Sequence, residues 1–154
     1  TLVHTKAGLK PIEEIQVGDW VLTYPDSMDP PHFDSLDHER LYRQVTKTFV
    51  HEDQAFSTVQ VFDITNSIVE TLRVTANHPV WERSRGWTPI SHLGAGNGLK
   101  NTDFRDLLVG TIQHGAGKAR VYNLEVDWFH TYFVGELGIW AHNKGVIPKM
   151  TVGI

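Results

Sequence analysis

The residues best suited to chemistry stand near the end of the sequence: His142-Asn143, with His130 twelve positions before His142. An asparagine side-chain amide nitrogen can attack its own main-chain carbonyl carbon. The attack closes a five-membered succinimide and breaks the bond to the following residue, here Asn143–Lys144. In water the step is very slow, because the amide is a poor nucleophile and the amine a poor leaving group. A folded site accelerates it by fixing the side-chain rotamer, polarising the carbonyl and protonating the departing nitrogen. His142 is adjacent and suited to polarising the carbonyl. His130 is the candidate proton carrier, since imidazole titrates near neutrality. Taken alone, a His-Asn pair is more often an ordinary strand end.

These residues need rigid elements to carry them. Val121 to Val126 and His130 to Val134 alternate apolar and polar side chains, the pattern of half-buried strands. Gly135-Glu136-Leu137-Gly138 fits a tight hairpin, because glycine takes positive φ without steric cost. Ile139 to Ala141 then delivers His142 and Asn143. Upstream, Thr1 to Thr5 and Trp20 to Tyr24 read as strands, with a single helical turn opened by Pro11 between them. Leu41 to His51, Ala55 to Ile64 and Ile68 to Thr75 are three more strand candidates, rich in β-branched residues. Thr75-Ala76-Asn77-His78-Pro79 ends that series, and Pro79 holds His78 extended. Pro25 to Glu39 crowds prolines and acidic residues into an irregular, solvated excursion that includes His32 and His38. Ser91 to Asp103 contains G-A-G-N-G without the strand-to-helix context of a phosphate loop, and reads as a surface loop. No long amphipathic helix is evident, so the fold class is all-β.

At 154 residues the chain fits one domain with a real core. With 40% hydrophobic residues it is globular rather than disordered. A formal charge of −4 with scattered basic residues gives no nucleic-acid footprint. No apolar run is long enough to span a bilayer, and the opening Thr1-Leu2-Val3 does not read as a signal peptide. The absence of cysteine removes disulfides, thiolate zinc sites and a thiol nucleophile from this sequence. None of the nine histidines forms an i, i+4 pair, so spacing gives no sign of a metal site.

Three separated stretches together resemble one family. TLVHTKAGLKPIEEIQVGDWVLTY (1–24) is similar to the first block of a Hint domain, the fold of inteins and hedgehog autoprocessing domains. TANHPVW (75–81) resembles that family's T-x-x-H block, and 121–143 its two C-terminal blocks. The ending HTYFVGELGIWAHN is especially similar to the Hint domains that precede toxin modules in bacterial polymorphic, Rhs-type toxins. The resemblance spans 1–143 and implies a flat, horseshoe-like fold with pseudo-two-fold symmetry that brings the chain ends together. It implies that Thr75 and His78 act at an upstream junction, polarising and protonating the first scissile amide. It gives His130 the role of assisting Asn143 cyclisation, and His142 that of supporting the developing charge. Asp127, three residues before His130, stands near an acidic position of many inteins, although Trp128 occupies the more usual place; a solvated strand residue is the other reading.

Two departures shape the expected outcome. The family's Cys or Ser a few residues before the TLV run is not in this sequence, and Thr1 corresponds to a strand residue downstream of it, so no acyl shift is expected here. Lys144 follows Asn143 where splicing requires Cys, Ser or Thr, so cleavage without ligation is expected. The expectation is therefore a self-cleaving, single-turnover domain (1–143) that cuts at Asn143–Lys144 and frees a C-terminal toxin module beginning with 144–154. The partners implied are that module and an N-terminal delivery region, within an exported or injected bacterial effector made in the cytoplasm. A monomer without metal or organic cofactor, nucleic acid or membrane contact is expected. The rival readings are a non-catalytic linker or cap holding a toxin inactive, a hedgehog-like transferase and a nuclease-bearing intein. The transferase lacks its nucleophile and lipid-binding extension, and the loops are too small for an endonuclease domain.

Overall fold

The structure, a computed structural model, describes residues 1–31, 40–143 and 153–154. His32, His38 and Lys144, singled out above, lie outside the described residues. Among these residues there is no α-helix. Eleven strands follow in order: β1 (Leu2–Thr5), β2 (Gly8–Pro11), β3 (Trp20–Thr23), β4 (Leu41–Asp63), β5 (Ile68–Val74), β6 (Pro79–Glu82), β7 (Gly86–Pro89), β8 (Gly98–Lys100), β9 (Asp106–Val126), β10 (Thr131–Val134) and β11 (Ile139–His142). Two single 3-10 turns, Ile12–Glu14 and Ile90–His92, follow β2 and β7. All strands belong to one sheet, ordered β10-β11-β6-β8-β9-β4-β3-β1-β2, with β5 on β4 and β7 on β6. Val3 of β1 also pairs with Val134 of β10, which closes the path into a circuit.

The circuit is built from one local plan used twice, with counterparts 78 residues apart: Pro11 and Pro89, Ile12 and Ile90, Gly18 and Gly96, Asp19 and Asn97. In each copy a proline ends the second hairpin strand, because its fixed φ suits the residue before a helical turn. The following isoleucine is buried. Gly18 and Gly96 both take positive φ, 95° and 92°, which only glycine adopts at little cost. Their N–H groups donate to Val45 and Val109 of the two long strands. The Asp19 carboxylate accepts from Gln16 N–H, and the Asn97 side-chain oxygen from Gly94 N–H. This is the internal pseudo-two-fold symmetry expected of the fold.

The long strands differ from the sequence reading. Leu41 to His51 and Ala55 to Ile64 form one irregular strand, β4, paired with β9 through register shifts, one of them between His51 and Gln54. The glycine stretch His114 to Lys118 lies inside β9. Pairing over this length satisfies the main chain even where glycine weakens local propensity. Gly98–Lys100, inside the expected surface loop, forms β8 with Leu99 buried, because it fills the place that Val21 fills in the first copy. The main core gathers Val3, Val21, Val80, Leu99, Leu124 and Ile139 among others. A second cluster of Leu22, Phe104, Phe133 and Trp140 packs with Trp81 and Trp87.

Candidate active site

Asn143 directly follows β11 and is only 4% exposed. Its N–H donates to the His130 carbonyl at 2.8 Å, so His130 and Asn143 face each other across the β10–β11 hairpin. That hairpin closes as expected, Gly138 N–H donating to Gly135 at 3.0 Å, with both glycines at positive φ. His130 itself precedes β10 rather than belonging to it. It sits at φ 59° and Trp128 at φ 62°, left-handed conformations that cost non-glycine residues about 1 kcal/mol or more each. The Arg43 guanidinium lies over the rings of Trp128 and Phe129, at 5.3 and 4.6 Å, and helps hold this bend. Strain of this kind gathers where side-chain placement matters.

The Asn143 carbonyl oxygen accepts from Asn123 Nδ2 at 2.7 Å. Asn123 is fixed in that orientation, since its Oδ1 already accepts from Tyr132 Oη (2.7 Å) and Leu124 N–H (2.8 Å). Burial raises the Tyr132 phenol's pKa, so it stays a donor. Among the described residues, neither polar atom of the Asn143 side chain has a hydrogen-bond partner, although both are buried. An unpaired buried amide costs about 1–3 kcal/mol.

His142 Nε2 lies 2.9 Å from the Asp26 carboxylate. Asp26 is held through its main chain: its N–H donates to Phe129, and its carbonyl accepts from Trp87 Nε1 at 3.0 Å. Trp87 also packs edge-on against the His142 ring, with centroids 5.0 Å apart. The His130 and His142 rings lie 6.5 Å apart. His130 lines an open cavity of about 420 Å³ together with Asp26 and Asp127. Asp127 donates its N–H to Gln44 and turns the chain toward His130.

Thr75 and His78 form the other side. His78 is fully buried, and among the described residues neither ring nitrogen meets a partner in hydrogen-bonding geometry. Burial pushes its pKa down to about 3, helped by the neighbouring His142 and partly offset by the His142 main chain. It is therefore neutral at physiological pH. Thr75 Oγ1 and N–H both lie within hydrogen-bonding distance of the Gly153 carbonyl. Val80 pairs with Ala141, which ties this side to β11.

The sequence-predicted residues Thr75, His78, His130, His142 and Asn143 thus converge around one strand end. Asn123 and Asp26 escaped the sequence reading. Period-two alternation put Asn123 on the polar side of its strand, where burial is not expected. Asp26 belonged to a segment read as solvated; its proline and acidic neighbours masked it.

A family model described as the pretoxin HINT domain matches residues 2–144. The chain belongs to the pretoxin Hint family. Among solved structures it is similar to a bacterial intein-like domain from Clostridium thermocellum, at 26% identity and TM-score 0.71, covering 92% of this chain and 94% of that one. The gp41-1 intein (21% identity, TM-score 0.69, 93% and 94% covered) has the same fold. So does a DnaB intein from Synechocystis sp., at 15% identity, TM-score 0.71 and 93% and 94% covered. No curated protein matches the chain. The horseshoe Hint fold expected from three short blocks is therefore that of this pretoxin Hint domain.

Proposed function

We propose that this Hint domain cuts its own chain after Asn143 by asparagine cyclisation, without splicing. Nδ2 of Asn143 attacks the Asn143 carbonyl carbon, the bond to Lys144 nitrogen breaks, and the amide gives up one proton while the departing amine gains one. The products are a C-terminal succinimide and a free amino terminus, and no water or cofactor is consumed. What supports this most is the state of Asn143: its carbonyl is held by a fixed donor, while its own amide is buried and, among the described residues, unbonded. Asn123 Nδ2 serves as the donor to the developing oxyanion, the part assigned above to His142. His142, oriented by Asp26, supports the developing charge, and His130, open to the cavity, carries the proton. Thr75 and His78 serve an upstream junction, and Asp127 shapes the turn that presents His130.

Within a pretoxin protein the cut would release a downstream toxin module from an upstream delivery region, in an exported bacterial effector. The domain would be residues 1–143 and the downstream flank 144–154. Mass spectrometry of the purified chain should find slow loss of the 11 residues after Asn143, and Asn143→Ala should abolish it. Equal release from the variant would remove cyclisation as the mechanism. A second reading, a non-catalytic cap, draws support from the packing of Gly153–Ile154 against the domain; it requires no Asn143-dependent release at all.

A further inference from the structure

Thr75, just past β5, and Tyr122 of β9 present polar groups to a slot between them, and that slot is occupied. Thr75 N–H donates to the Gly153 carbonyl at 2.9 Å, and Gly153 N–H donates to Thr75 Oγ1 at 2.8 Å. One residue further, Ile154 N–H donates to the Tyr122 carbonyl (2.9 Å) and Tyr122 N–H to the Ile154 carbonyl (3.3 Å). Reciprocal exchange of this kind is how directly opposed residues meet in an antiparallel ladder. The side chains fit as well. A Cβ at Gly153 would come within 2.7 Å of the Val121 side chain, so the position takes only a residue without one. Ile154 is 5% exposed and joins the main core.

We infer that this is a strand-binding slot for a Gly–aliphatic pair, and that the downstream residues Gly153–Ile154 fill it in cis. Main-chain ladders give such a slot its affinity, and the side-chain positions give it selectivity. The consequence is exclusion. Thr75 Oγ1 and N–H are the groups that the proposed function assigns to an upstream junction, and here they are engaged by the downstream flank. A slot bonded on both sides by one segment has no room for a second strand. Chemistry at the upstream side therefore waits until the flank leaves the slot, which sets an order on the two halves of the site. The docking itself does not depend on cleavage after Asn143.

The test uses the full chain carrying Asn143→Ala, which keeps the flank attached whether or not the native chain cleaves. Amide hydrogen exchange is followed by NMR at Thr75, Tyr122 and Ile154, with Phe133 and Trp140 as internal controls. In this parent the three amides should exchange at least about 100-fold more slowly than in an unstructured peptide. Gly153→Val and Ile154→Asp should each raise exchange at Thr75 and Tyr122 about 10-fold or more, leaving the controls unchanged. Unchanged exchange at Thr75 and Tyr122 in both variants would overturn the proposal. So would exchange at peptide rates in the parent. If either variant exposes the controls too, Ile154→Ala decides: protection at Thr75 and Tyr122 equal to the parent's also overturns it. Failure of Asn143 to cleave in the native chain would leave every one of these readings intact.

Discussion

β9 and the end of β11 each bury one asparagine, and one hydrogen bond joins them. The side chain of Asn123 is bonded at both ends, between Tyr132 and Leu124 on one side and the Asn143 carbonyl on the other. The side chain of Asn143 is equally buried and bonded to nothing among the described residues. The same amide thus occupies two opposite conditions within one site. Where every lone pair and N–H is committed, the group cannot turn and acts as a fixed dipole. Where none is committed, the group keeps its nucleophile free. A preorganised donor costs nothing to reorient as charge develops, and this is where enzymes obtain much of their acceleration.

The largest test of that contrast removes the fixed partner. Asn123→Ala should slow release of the downstream segment about 100-fold, the usual loss for an oxyanion donor, as read by time-resolved intact mass. Asn123→Asp should be nearly as slow at neutral pH, since an ionised carboxylate only accepts, and should recover as acid protonates it. Asn123 variants that cleave at the parent rate would make the bond to Asn143 merely structural. A smaller effect is expected from Asp26→Asn. It keeps the shape beside His142 but weakens a charge-assisted contact, and release should slow about 10-fold with a shifted pH profile.

The smallest effect bears on stability rather than rate, and on the unpaired side of the site. Folded His78 has its pKa lowered to about 3, while the unfolded chain takes up that proton near the ordinary histidine value of 6.5. Between these values the unfolded state binds more protons, so stability present above pH 6.5 is lost as pH falls toward 3. From pH 7 to 5 His78 should cost about 2 kcal/mol, seen in urea unfolding as a slope that His78→Asn lacks. An identical slope in both proteins would mean that His78 is not enclosed.

The sequence made the proposed carriers of chemistry legible because their motifs are local. His142-Asn143 follows a hairpin whose glycines announce it, and Pro79 fixes the extended approach to His78. The fold was legible through its blocks, but the continuity of β4 and β9 was not. Asp53 at φ 52° and Gly115 at φ 60° look like turns in isolation, and only pairing across the sheet keeps the strands running through them. The repeat was hidden because its two copies share conformation more than residue type: Asp19 and Asn97 make the same turn with different side chains. Asn123 and Asp26 were missed for a related reason. What recruits them is a partner more than a hundred residues away in the case of Asp26 and His142, and no window along the chain contains both.

The β1–β10 pairing that completes the circuit lies wholly before residue 143. Severing the chain after that residue would therefore subtract none of the eleven described strands. The spent domain should keep its circuit of strands, like a casing left after its charge has gone, and lose only the burial and hydrogen bonds of Gly153–Ile154. What drives the event forward is then the parting of two products, not the relaxation of a sprung fold.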